Sequence, residues 1–157
     1  MNWDWSVIWE YFPRLLEGAW LTLELVGLSG LFGILMAVPL ALMRASTQPL
    51  LKGLAYGYIF FFRGTPLLVQ IFLIYYGASQ FDAVKDSFLW PILKEPYWCA
   101  IIAFTMNTSA YSAELIRGAI QAIPHGEIEV ADALGMNRLT KIRRIILPRA
   151  LGIVLPA

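Results

Sequence analysis

Three long apolar stretches, roughly Ala19 to Met43, Leu54 to Ala78 and Trp98 to Ile120, alternate with shorter polar ones along the chain. Each is close to the ~20 residues that cross hydrocarbon as a helix, and each is too long for a barrel strand. Backbone groups in lipid must pair within their own segment, so the pattern predicts an all-α, polytopic transmembrane helical bundle. A fourth apolar run begins near Ile145 and is too short to cross by Ala157. The expectation is a single, partial transmembrane domain over residues 1–157, with about three complete spans and the start of a fourth.

Residues 121–148 interrupt this pattern with a basic, Gly-punctuated loop that is far longer than most tight connections. Pro124 closes the third apolar run. Glu127 to Leu134 then combines good helix formers with acid in the first turn, and Gly135 supplies a left-handed stop. Asn137 is placed to cap a second helix through Leu139, Ile142, Ile145 and Ile146, whose other face carries Arg138, Lys141 and Arg144. Pro148 is expected to interrupt the approach to the next span. Two short helices fixed at both ends to spans would transmit a push.

Composition agrees with a membrane setting. Hydrophobic residues make up 59% of the chain, charged residues 15%, and the mean hydropathy is +0.63, which leaves too little polar surface to coat a soluble domain of this length. A net charge of +1 argues against a nucleic-acid partner. The single cysteine, Cys99, excludes an internal disulfide and reads as a small buried residue. The acidic start, with Asp4, Glu10 and Glu17 against Arg14, is unlike a cleaved signal peptide.

Charge placement sets orientation. Arg44, Lys52, Arg117, Arg138, Lys141, Arg143, Arg144 and Arg149 are eight of the twelve basic residues and fall in the same class of loop. The positive-inside rule makes those loops cytoplasmic and puts the N-terminus and the Ser79 to Tyr97 loop outside. Trp3, Trp5, Trp9, Tyr11 and Phe12, with Trp90, Tyr97 and Trp98, form the expected outer aromatic belt. Within the first run, Ser29, Gly33 and Ala37 recur at four-residue spacing. Two readings stand, a close-packing stripe or the ordinary abundance of small residues in membrane helices.

The polar residues inside the apolar runs are the candidate functional groups. Asn107, Tyr111 and Glu114 fall at i, i+4 and i+7 on one helix face, with Thr108 beside it. This face either lines a substrate path, Glu114 meeting a cationic group, or Glu114 pairs with Arg63 or Arg117 and Asn107 bonds a neighbouring helix. Arg63 precedes Gly64 and Pro66, where helix regularity should be disturbed. It either meets a substrate carboxylate or snorkels to the interface. Gln70 and Tyr75 share this span, with weaker claims. No catalytic constellation is present: His125 in HGEIE lacks a second histidine at metal spacing, and neither a GxSxG turn nor a Gly-rich phosphate loop with lysine occurs.

The series Glu129, Ala131, Gly135, Ile145, Leu147 and Pro148 resembles the EAA loop of bacterial ABC importer permeases, with Val130 where the family usually has alanine. RGTPLLVQ (63–70) and NTSAYSAELIRGAI (107–120) further resemble the polar amino acid subgroup, most of all the M-type subunits of histidine, lysine, arginine and ornithine systems. The resemblance implies the type I importer permease fold, with about five spans in the complete protein, in a bacterial inner membrane. It implies a separate ATP-binding subunit that holds ATP and Mg, so that this chain has no cofactor of its own and is not an enzyme. It also implies a second permease subunit, identical or not, and an extracytoplasmic amino acid binding protein. A passive polar-solute channel is the rival; it would share the polar face without needing the two-helix loop.

Overall fold

The computed structural model describes residues 6–154, all of whose regular elements are helical. Trp3, Trp5 and the side chain of Arg138 lie outside what is described. Helix α1 runs Ser6–Arg44, 39 residues, about 58 Å at the standard rise. It therefore starts well before the apolar run: Trp9, Tyr11 and Phe12 stand exposed on the helix itself, and the helix continues through Pro13 and Pro39.

The second run does not form one straight span. Helix α2 (Pro49–Gly64) begins five residues earlier than its apolar core because Pro49 occupies the first turn, where its missing N–H costs nothing. It ends at Gly64. Helix α3 (Leu67–Phe72) and a π-helical turn (Leu73–Gly77) continue at 108° to it. The connection that follows carries two single-turn helices, α4 (Asp82–Lys85) and α5 (Trp90–Leu93).

Helix α6 (Pro96–Gln121, 26 residues) is the centre of the bundle. Among the described residues only α1 is long and apolar enough to cross a membrane unaided, and α2 with α3 and the π-turn qualify together. The less apolar α6 has length enough to cross, and it packs against α1, α2, α3 and a later helix, which shelter its polar groups. Its most extensive partner is α1. There the stripe Ser29, Gly33, Ala37 is buried and extends to Ala41, and Ala37 and Ala41 pack with Ala113, an equally small residue of α6. A Cβ on Gly33 would lie 2.8 Å from Cβ and Cγ2 of Thr108, so the close-packing reading of the stripe is the one the fold adopts. Ala37, Ala41, Ile59, Ala113 and Ile116 form the core where α1, α2 and α6 meet. Cys99 is fully buried, its thiol 3.2 Å from the Leu93 carbonyl.

After α6 come α7 (His125–Ala133), α8 (Arg138–Lys141), a second π-turn (Ile142–Ile146) and α9 (Leu147–Val154), which returns to α6. Pro148 does not interrupt this path, contrary to the sequence expectation. The Leu147 N–H reaches back five residues to the Ile142 carbonyl, and the widened turn admits a proline whose ring would crowd a regular helix.

Candidate functional site

The break between α2 and α3 follows from its chemistry. In an unbroken helix the Phe62 carbonyl would accept from residue 66, which is proline and has no N–H. Thr65 ends α2, its N–H and hydroxyl both donating to the Phe61 carbonyl at 3.1 and 2.8 Å. Gln70, 2% exposed, then turns back across the break. Its amide NH2 donates to the Phe62 carbonyl (2.8 Å), the Thr65 carbonyl (3.0 Å) and the Thr65 hydroxyl (2.8 Å). Asn107 of α6 completes the arrangement, its Nδ2 donating to the Phe62 carbonyl at 3.2 Å and to Gln70 Oε1 at 3.3 Å. One turn earlier in α2, the Tyr58 hydroxyl lies 3.1 Å from the Met106 carbonyl and 2.7 Å from Ser109 Oγ. The broken end of α2 is therefore fastened to α6 by buried polar groups, each satisfied by another.

Below the break, Arg44, Tyr56, Arg63, Tyr111 and Glu114 line a cavity of about 360 Å³ between α1, α2 and α6, open on one side. Each arginine lies over a tyrosine: the Arg44 guanidinium is 4.9 Å from the Tyr56 ring centroid, and that of Arg63 is 5.1 Å from Tyr111. Glu114 Oε2 is held by Arg117 one turn on, through Nε and Nη2, both at 2.8 Å. Its other oxygen, Oε1, is 3.7 Å from Arg44 Nε, which is buried without a hydrogen bond.

The predicted face of α6 is thus present, with its members differently engaged. Asn107 serves the helix break, Tyr111 supports Arg63, and Glu114 is paired with Arg117 and Arg44. Thr108 packs against Gly33. Sequence reasoning missed Arg44 and Tyr56. Tyr56 lies seven residues before Arg63, a same-face spacing that was available as a signal; Arg44 reaches Glu114 across seventy positions and left none.

The element from α7 to α9 is built from local chemistry. Helix α7 ends in a two-bond reversal: Gly135, at φ 69°, donates to the Asp132 carbonyl (2.9 Å) and Met136 to that of Ala131 (3.0 Å). Asn137 Oδ1 accepts the Thr140 N–H at 2.9 Å and so caps α8. Arg149 grips both carboxylate oxygens of Glu127 at 2.8 and 3.1 Å, and Lys141 pairs with Asp132. Ala131 is buried and Glu129 exposed. Ile145 and Pro148, with Glu127 and Val130, line an open groove between α7 and α9; Leu147 is half-buried at the start of α9. Val130, Leu134 and Leu139 leave large apolar side chains uncovered, 60 to 75% exposed.

Residues 29–157 match the family described as binding-protein-dependent transport system inner membrane component. The octopine transport system permease protein OccM of Rhizobium radiobacter is 49% identical over 99% of this chain and 64% of its own length. The arginine ABC transporter permease protein ArtM of Escherichia coli K12 is 42% identical over 91% of this chain and 64% of its own. The chain thus spans just under two thirds of the length of these relatives. Among solved structures, an amino acid ABC transporter crystallised with histidines superposes with a TM-score of 0.80 at 36% identity, over 99% of this chain and 69% of the other. The MetNI methionine ABC transporter, inward facing, has the same fold, with a TM-score of 0.77 at 21% identity. On this match the chain belongs to the family of binding-protein-dependent transport system inner membrane components.

Proposed function

We propose that this chain forms the permease subunit of an ATP-driven importer of basic or polar amino acids such as histidine, arginine, lysine and ornithine, working by alternating access. The observation that carries the reading is the α7–α9 element. It is rigid through its caps, continuous with α6 at one end and α9 at the other, and presents uncovered Val130, Leu134 and Leu139 beside Glu129. Such a surface suits the cleft of a separate ATP-binding subunit, which would hold ATP and Mg and carry out hydrolysis. Closure of that partner would push α7, and the push would pass to α6 and α9 as a rigid-body movement. A second permease subunit would complete the path, and an extracytoplasmic binding protein would deliver the amino acid. The setting is a bacterial inner membrane, with the N-terminus outside and the loop at 121–148 in the cytosol; the basic loops support this orientation. The names of the relatives, which are permeases for octopine and arginine, support an amino acid derivative as cargo.

Co-purification with the cognate ATPase tests the proposal. Glu129→Lys is expected to abolish it by placing a like charge or an unpaired cation in the cleft. Gly135→Pro is expected to do the same, because proline cannot adopt φ 69°. Binding retained by both variants would contradict the importer reading and favour a passive channel.

A further inference from the structure

The cavity at the foot of the helix break has a charge balance that the importer reading leaves unexplained. Two guanidiniums, Arg44 and Arg63, line it with one carboxylate, Glu114, and Arg117 from outside the lining already occupies one oxygen of that carboxylate through two short bonds. Arg63 rests on Tyr111, and among the described residues no carboxylate lies within ion-pair distance of it. Arg44 has a buried Nε with no hydrogen bond and only a 3.7 Å approach to Glu114. A cation with a buried, unpartnered N–H in a membrane bundle needs an anion to offset its desolvation, which is the case of Arg44, while Arg63 stands exposed on the cavity wall where an entering anion can reach it. Each guanidinium carbon lies over a tyrosine ring, and among the described residues Arg63 makes no side-chain hydrogen bond, so its N–H groups are available to a two-oxygen acceptor.

We propose that Arg63 and Arg44 form a carboxylate-binding site for the transported amino acid, a role that rests on the importer reading above. The carboxyl group of the cargo lies against the Arg63 guanidinium edge with Arg44 as the second donor. The ammonium faces Glu114 Oε1, the oxygen Arg117 leaves open. The cavity, about 360 Å³, is at the lower end of the range for small-ligand sites. Its mixed charge favours a zwitterion over a lipid phosphate, which would gain from the arginines but meet Glu114 as a like charge. Gly64 stands on its wall where α2 is interrupted, with open space where a Cβ would project. Membrane helices that are broken at mid-depth commonly place their interruptions at a cargo site. The site accordingly reads the amino acid's common end, and Glu114 is not a free partner for a cationic side chain.

Equilibrium binding of labelled L-arginine to the assembled full-length permease and ATPase complex, without the binding protein, tests this. L-argininamide, which lacks the carboxylate, serves as competitor. The unsubstituted complex is expected to prefer arginine by about tenfold or more, the worth of a charge-assisted hydrogen bond. Arg63→Gln should erase the preference by weakening arginine alone, and Arg63→Lys should restore part of it. ATP hydrolysis by each complex serves as the check on assembly. An unchanged preference in both Arg63→Gln and Arg44→Gln would overturn the site and leave the importer reading standing. So would loss of co-purifying anionic lipid in Arg63→Gln with arginine preference intact. A complex that hydrolyses ATP yet binds and transports no amino acid in any form would overturn both.

Discussion

The helix break inside the bundle and the two-helix loop outside it are both rigid, and they achieve it by opposite means. At the break, rigidity comes from buried side-chain amides: Gln70 and Asn107 replace the N–H that Pro66 lacks, in surroundings where no water could do so. In the loop it comes from backbone caps at Gly135 and Asn137, while the ion pairs lie in reach of solvent, with Arg149 65% exposed. Removing one partner should therefore be costly in the first region and cheap in the second. An exposed loop has water to satisfy its polar groups; a kinked span has only its neighbours.

The largest expected effect is at Gln70. Gln70→Leu, of similar size, strands the Thr65 carbonyl, leaves the Phe62 carbonyl only the longer Asn107 bond and deprives Asn107 of its second acceptor, and should destabilise the full-length permease by about 3 kcal/mol, read from unfolding in micelles. Asn107→Ala should cost less, since Gln70 still reaches Phe62; equal losses would show that the two amides do not share that carbonyl. Gly33→Ala comes next. Its Cβ would press on Thr108 at 2.8 Å and part α1 from α6, at about 2 kcal/mol in the same assay. Thr108→Ser should lessen that cost by removing Cγ2. The smallest effect is expected at Glu127→Gln, under about 0.5 kcal/mol and fading with salt, because the Arg149 pair is screened. A large, salt-independent loss there would erase the contrast between the regions.

Legibility in the sequence follows the same division. Gly135 and Asn137 could be read in advance because a cap is decided within a few residues, and the Ser29, Gly33, Ala37 stripe because one helix face shows its period. The RGTP segment announced a disturbed helix, but not a 108° turn or the return of Gln70 to heal it, since those bonds join residues brought together only by folding. Glu114 left two readings for the same reason: Arg117 lies one turn away, whereas Arg44 comes from another helix. Pro148 misled because a local rule forecast an interruption, and the widened π-turn ahead of it made room for the proline ring.

The central claim is that α7 to α9 moves as one rigid piece and tilts α6 with it. Spin-label distances in the assembled transporter test it most directly, one pair at Val130 and Leu139 within the element, another from Leu139 to Phe88 between α4 and α5, all exposed positions. On trapping the ATP-bound state, the first distance should keep its value and narrow spread while the second shifts. A first distance that changes or broadens while the second stays fixed would contradict the account.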